Sequence, residues 1–163
     1  MGEQRLIHWN ERGEAHMVDV SGKSETVREA RAQGWLKIDP EALLRFQAGS
    51  LDKGDAAAVA RVAAIQAAKR TSDLIPLCHP LRLSGVEVEV RAHPPNRLEV
   101  QAVVRCTERT GVEMEAMTAV SVACLTLYDM LKSLDRGMEI GPICLLEKSG
   151  GRSGKWMRGD HGD

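Results

Sequence analysis

Aromatic side chains are scarce in this chain of 163 residues: one Phe, one Tyr and three Trp make up 3% of it. That scarcity excludes the stacking platforms on which single-strand nucleic-acid binders hold successive bases. Charge of one sign is lacking as well, since 22 Lys and Arg stand against 23 Asp and Glu for a net charge of −1. No general attraction to nucleic acid or to an anionic membrane surface follows from such a balance. The four cysteines, Cys78, Cys106, Cys124 and Cys144, form no C-x-x-C pair. This spacing argues against a zinc knuckle or a redox dithiol, and the thiols read as reduced and mostly buried in a cytoplasmic protein. No His/Cys/Asp cluster has ligand spacing, so neither a metal nor a cofactor is expected. Residues 1–7 carry no signal-type apolar core, and no apolar run reaches membrane-spanning length.

What is present fits one domain over residues 1–163, with residues 1–12 and 154–163 expected to be mobile. His16–Val20 is a short strand candidate. Thr26–Ile38 reads as a strand leading through Asp39-Pro40 into a helix closed by Gly49. A second helix is expected from an Asp55 cap to Arg70, with an apolar stripe of Val59, Val62, Ala63, Ile65 and Ala67. Gly85–Arg91 and Leu98–Cys106 alternate apolar and polar residues as an antiparallel hairpin does, broken at His93-Pro-Pro-Asn-Arg97. Thr110-Gly-Val-Glu113 fits a capping box opening the longest helix, whose core face runs Met117, Val120, Cys124, Leu127, Leu131, Leu134 and ends at Gly137. Ile140–Leu146 is a last strand. Strand, helix, strand, strand, helix, strand is the order of a ferredoxin-like α+β fold, with helices on one face of an antiparallel sheet.

Several residues in this scheme could carry chemistry. His79 precedes Pro80, which biases its backbone to extended geometry and so holds the Leu77-Cys78-His79 turn open. Asp129 and Lys132 stand three apart and share a helix face, as an ordinary surface ion pair would. Lys53 lies just before a helix start, where the macrodipole disfavours a cation, so it leans toward a neutral base and Lys132 toward a charged acid or anion clamp. Met114 and Glu115 open the long helix, and a carboxylate there can accept two parallel N–H donors, such as a guanine or aminopterin edge offers. Lys148-Ser-Gly-Gly-Arg-Ser-Gly-Lys155 looks like a phosphate loop but departs from the P-loop pattern at Ser149 and Trp156.

Taken together, Gly13–Val20, Glu25–Arg31, Lys53-Gly-Asp55, the segment from Lys69 to His79, Gly111–Glu115, Tyr128–Lys132 and Leu146–Gly151 resemble one family. It is the molybdenum cofactor biosynthesis protein C family, the cyclic pyranopterin monophosphate synthases, and the likeness runs to about Gly154. The resemblance implies a lyase that converts a cyclised dihydro-GTP to cyclic pyranopterin monophosphate and pyrophosphate. It further implies catalytic roles for Asp129, Lys53 and Lys132, and substrate contacts for Leu77, Cys78, His79, Met114, Glu115 and Lys148, with Arg28 a weaker candidate. A homo-hexamer built as a trimer of dimers, with sites shared between subunits, is implied too, and no nucleic-acid or membrane partner. The competing expectation is a non-catalytic regulatory module that holds a nucleotide on the same fold.

Overall fold

The computed structural model describes residues 8–10, 12–51 and 53–159. Alternation places Ala30, Ala32 and Leu36 of strand β1 (Thr26–Lys37) in the core beside Leu98, Val100, Ala102, Val104 and Cys106 of β3 (Arg97–Glu108). Strand β2 (Leu83–His93) is the hairpin partner of β3, and β4 (Glu139–Ser149) pairs with the other edge of β1. A two-residue strand β5 (Trp156–Met157) adds to β4, giving an antiparallel sheet in the order β2-β3-β1-β4-β5. Four helices, α1 (Pro40–Gln47), α2 (Ala56–Lys69), the single turn α3 (Thr71–Leu74) and α4 (Glu113–Leu131), complete an α+β fold of ferredoxin-like type. Helices α2 and α4 pack on each other and on one face of the sheet.

Helix α4 packs against α2 and the sheet, and its buried stripe, Ala116, Ala119, Val120, Ala123, Cys124, Leu127 and Leu131, belongs to a face that meets β1 and β3. The fit is close. A Cβ at Gly34 of β1 would stand 2.5 Å from Val120 Cγ1 and 3.2 Å from Cys124 Sγ. Asp39 and Asp55 cap α1 and α2 through side-chain acceptors, as their position before each helix demands.

Four expectations change. The buried face of α2 is alanine, at 56, 60, 64, 67 and 68, while Val59 and Val62 are 43% and 56% exposed. Small side chains are what let α2 approach α4, so volume and not hydrophobicity selects the inward face. Thr110 does not cap α4, which starts from Val112 without a side-chain cap bond, and α4 ends at Leu131 with Lys132 as its C-cap rather than at Gly137. His16–Val20 forms no strand but an irregular strap across the site described below. Of the segments expected to be mobile, residues 1–7, 11 and 160–163 lie outside the described residues. Within the described part Trp9 bridges to Ala15 and Trp156 pairs with Lys148.

Candidate active site

The start of α4 and the turn after α3 converge on a pocket of about 180 Å³. Leu77, Cys78 and His79 form one wall, and Met114 and Glu115 another, while Val18 and Val20 of the strap close the side. Glu115 is 4% exposed, and its Oε2 is buried with no hydrogen-bond partner among the described residues. Burial, with a smaller contribution from the neighbouring Glu113 carboxylate, pushes its pKa up to about 7. A carboxylate desolvated and left unpaired is costly to the free protein, and a ligand bearing N–H donors would repair it. Cys78 in the same wall is a poor nucleophile, since burial first and Glu115 second push its thiol up.

Thr110, Gly111, Glu113 and Lys23 are shared with a second and larger cavity of about 570 Å³, so the two are continuous. Its walls carry the cations Lys23, Arg28, Arg109 and Arg152, and the hydroxyls of Ser24, Thr26, Thr110 and Ser153. Arg28 is held in place by main-chain oxygens, its Nε donating to Glu108 at 3.3 Å and its Nη2 to Arg109 at 3.2 Å. The Gly150-Gly151 pair wraps the same side chain, with both residues at positive φ (+97° and +71°) and no room for a Cβ against Val27 and Arg28. Lys148 does not line the cavity but bonds Ser153, which does. Four cations in one cleft suit a polyanion, with the guanidinium groups offering forked donors to phosphate oxygens.

Lys53, Asp129 and Lys132 also come together, at the opposite end of α4. Lys132 Nζ pairs with Asp129 Oδ1 at 2.6 Å, and Lys53 Nζ donates to the main-chain oxygen of Asp129 at 2.9 Å. The Lys132 hydrogen bond, then the charges of Lys132 and Lys53, hold the Asp129 carboxyl below the usual carboxylate range. Lys53 thus reaches the C-terminal carbonyls of α4, where a cation is favoured, and the start of α2 is not the only dipole acting on it. Fourteen helical steps lead from Glu115 to Asp129, a span of about 21 Å. Within one protomer the expected residues therefore make two clusters.

Sequence reasoning missed Lys23, Arg109 and Arg152. Arg109 immediately precedes the Thr110–Glu115 motif and Arg152 lies within the phosphate-loop-like Lys148–Lys155 segment, and those were the available signals; Lys23 gave none beyond its charge. Among the described residues no group of three or more His, Cys, Asp and Glu is placed to hold a metal ion.

A polar pocket with an unpaired carboxylate, beside a cationic cleft, is suited in its chemistry to an anionic small molecule bearing N–H donors, and the frame that carries it is ferredoxin-like. The MoaC family model matches residues 17–151, and the chain belongs to that family. It is 58% identical over 156 residues to the cyclic pyranopterin monophosphate synthase of Thermomicrobium roseum, covering 95% of this chain and 94% of that protein. To the protein of the same name from Desulfitobacterium hafniense it is 51% identical over 156 residues, covering 96% of each.

Proposed function

We propose that this protein is a lyase of molybdenum cofactor biosynthesis that converts 3',8-cyclo-7,8-dihydroguanosine 5'-triphosphate to cyclic pyranopterin monophosphate with release of pyrophosphate. The observation that carries the reading is the buried, unpartnered Oε2 of Glu115 in a pocket that shares lining residues with a cationic cleft. Glu115 accepts the ring N–H and exocyclic amine of the base, with Leu77, Cys78, His79 and Met114 shaping the slot around it. Lys23, Arg28, Arg109 and Arg152 neutralise the triphosphate, and Lys148 joins them by way of Ser153. As the cyclic phosphate forms, the departing pyrophosphate gains charge, and cations already in position stabilise that charge without reorganising.

Ring opening and reclosure require protons to leave and arrive at defined atoms, which is work for Lys53, Asp129 and Lys132. Because these three lie about 21 Å along α4 from Glu115, a complete site combines the pocket of one protomer with the lysine cluster of its partner. A trimer of such dimers, a hexamer, is the assembly we propose, working in the cytoplasm, where the four free cysteines stay reduced. Among the described residues Lys132 is ion-paired with the Asp129 carboxylate, whereas Lys53 bonds the main-chain carbonyl of that residue. The ends of α2 and α4 act on Lys53 in opposite senses, so it is the missing carboxylate partner that favours Lys53 as the base and Lys132 as the acid or anion clamp.

Purified protein incubated with the cyclised dihydro-GTP is expected to release pyrophosphate and form the cyclic monophosphate. Tight binding of that compound without turnover would replace the enzyme by a nucleotide-holding regulatory module.

A further inference from the structure

His79 is oriented by a single bond whose direction is fixed by chemistry. Its Nε2 lies 2.8 Å from the main-chain oxygen of Val18. A carbonyl oxygen can only accept, so the hydrogen on this bond belongs to Nε2. A neutral imidazole has one ring proton to place, and with Nε2 holding it the lone pair stays on Nδ1. No described residue hydrogen-bonds Nδ1.

The acceptor that imposes this arrangement is itself well anchored. Three residues beyond Val18 the strap is fastened by Arg109, whose Nη1 donates to the Ser21 main-chain oxygen at 3.1 Å. Between the two bonds Asp19 Oδ1 takes the Ser21 N–H at 2.8 Å, which stiffens the turn. Pro80 restricts the other partner, keeping the His79 backbone extended. Both ends of the Val18–His79 bond are therefore constrained, and both residues line the pocket beside Glu115.

The geometry points to Nδ1 of His79 as the atom that faces the ligand, accepting a hydrogen bond from an N–H or O–H of the bound molecule, with the carbonyl of Val18 as the positioning group that fixes this tautomer. The inference rests on the pocket being the substrate site, and it makes that site acceptor-rich, with Glu115 and His79 Nδ1 both serving donors of one heterocycle. Selectivity follows, because an analogue lacking the donor forfeits this hydrogen bond.

The two isosteric amides separate the two nitrogens. Asn at 79 places its amide near the Nδ1 position and cannot reach Val18; Gln reaches Val18 and leaves only a methylene near Nδ1. With GTP as a non-reacting probe, His79→Asn is expected to bind within about threefold of the unmodified protein, and His79→Gln to lose about tenfold or more, as when a polar partner is removed. The reverse order would overturn the proposal. Long-range proton–nitrogen correlation spectra of the full-length, unsubstituted protein give an independent readout, His79 being assigned by the signals that vanish in His79→Asn. They should show the Nε2–H tautomer of the neutral ring, and an Nδ1–H tautomer would end the idea even if neither variant folded. Neither readout requires turnover. Failure of the synthase reading would show instead as absence of product from the unsubstituted protein, with the tautomer unchanged.

Discussion

The ammonium group of Lys53 donates a 2.9 Å hydrogen bond to the main-chain carbonyl of Asp129, and the carboxylate of the same aspartate takes Lys132 at 2.6 Å. One residue thus organises two cations with its two kinds of oxygen. Both contacts lie within a single protomer, while Glu115 sits at the far end of the same helix. This separation decides how the proposed chemistry can be tested.

Subunit mixing is the first test. Glu115→Ala and Asp129→Ala proteins, each inactive alone, are expected to recover about a quarter of full activity when their subunits are exchanged at equal amounts, since half the dimers are mixed and each has one intact site. Lys53→Ala mixed with Asp129→Ala should recover nothing, because no chain then holds an intact lysine cluster. Equal recovery in the two mixtures would contradict the arrangement, as would a fully active monomer by solution mass.

The second test concerns the stability cost of Glu115. Burial pushes its carboxyl up to about 7 in the folded protein, well above the ordinary glutamate range. A raised pKa contributes stability that is complete below about pH 4.5 and is lost as the pH rises through 7, to the extent of about 3 kcal/mol. Urea unfolding of the free protein should show that decline, and Glu115→Gln should flatten it and be the more stable variant at pH 8. Identical pH profiles would show that burial of this charge costs little.

Ligand affinity should move the opposite way. N–H donors stabilise the ionised carboxylate, so GTP binding is expected to strengthen as the pH rises through about 7 and to release a proton below it. Glu115→Gln should lose this dependence and weaken binding by roughly 1–3 kcal/mol, the cost of mispairing a buried group. Calorimetry in buffers of different ionisation enthalpy measures the proton directly, and a pH-independent affinity would count against Glu115 as the acceptor.

The lysine roles are separable by arginine, which keeps the charge but does not give up its proton. Single-turnover chemistry should survive in part in Lys132→Arg and nearly vanish in Lys53→Arg. The reverse result would exchange the base and the acid.

For the cationic cleft the informative position is Gly151. Its positive φ and its contact with the Arg28 guanidinium leave no space for a side chain. Gly151→Ala should therefore displace Arg28 and weaken triphosphate binding by about 1–2 kcal/mol, the scale of a strained backbone position together with a lost charged hydrogen bond. Affinity for guanosine, which has no phosphate, should be unaffected. Equal losses for both ligands would mean general disruption.

Alternation and periodicity made most of the sheet and α4 legible in the sequence, because one-faced burial writes itself as a period of two or near 3.6. Helix α2 defeated the same logic: its inward alanines are less hydrophobic than the valines it exposes, and only the approach of α4 explains the choice. The capping box at Thr110 failed for a related reason. Thr110 and Glu113 both line the cavities, and tertiary placement overrode a local pairing that the spacing allowed. The site motifs were readable as residues but not as distances, since nothing in a linear pattern says that 14 helical positions divide Glu115 from Asp129. Lys23 was illegible for want of any periodic or motif context, and the strap of residues 16–20 was misread because its apolar side chains cover a pocket instead of joining a sheet.

The alanine seam between α2 and α4 has a kinetic consequence. Lys53 stands two residues before the Asp55 cap of α2, and its partner Asp129 stands in the last turn of α4. On the proposed role of Lys53, a side chain that wedges these helices apart, such as valine at Ala60 or Ala64, is expected to alter the gap that Lys53 crosses as well as the packing. Core volume at this seam then bears on reaction rate along with stability.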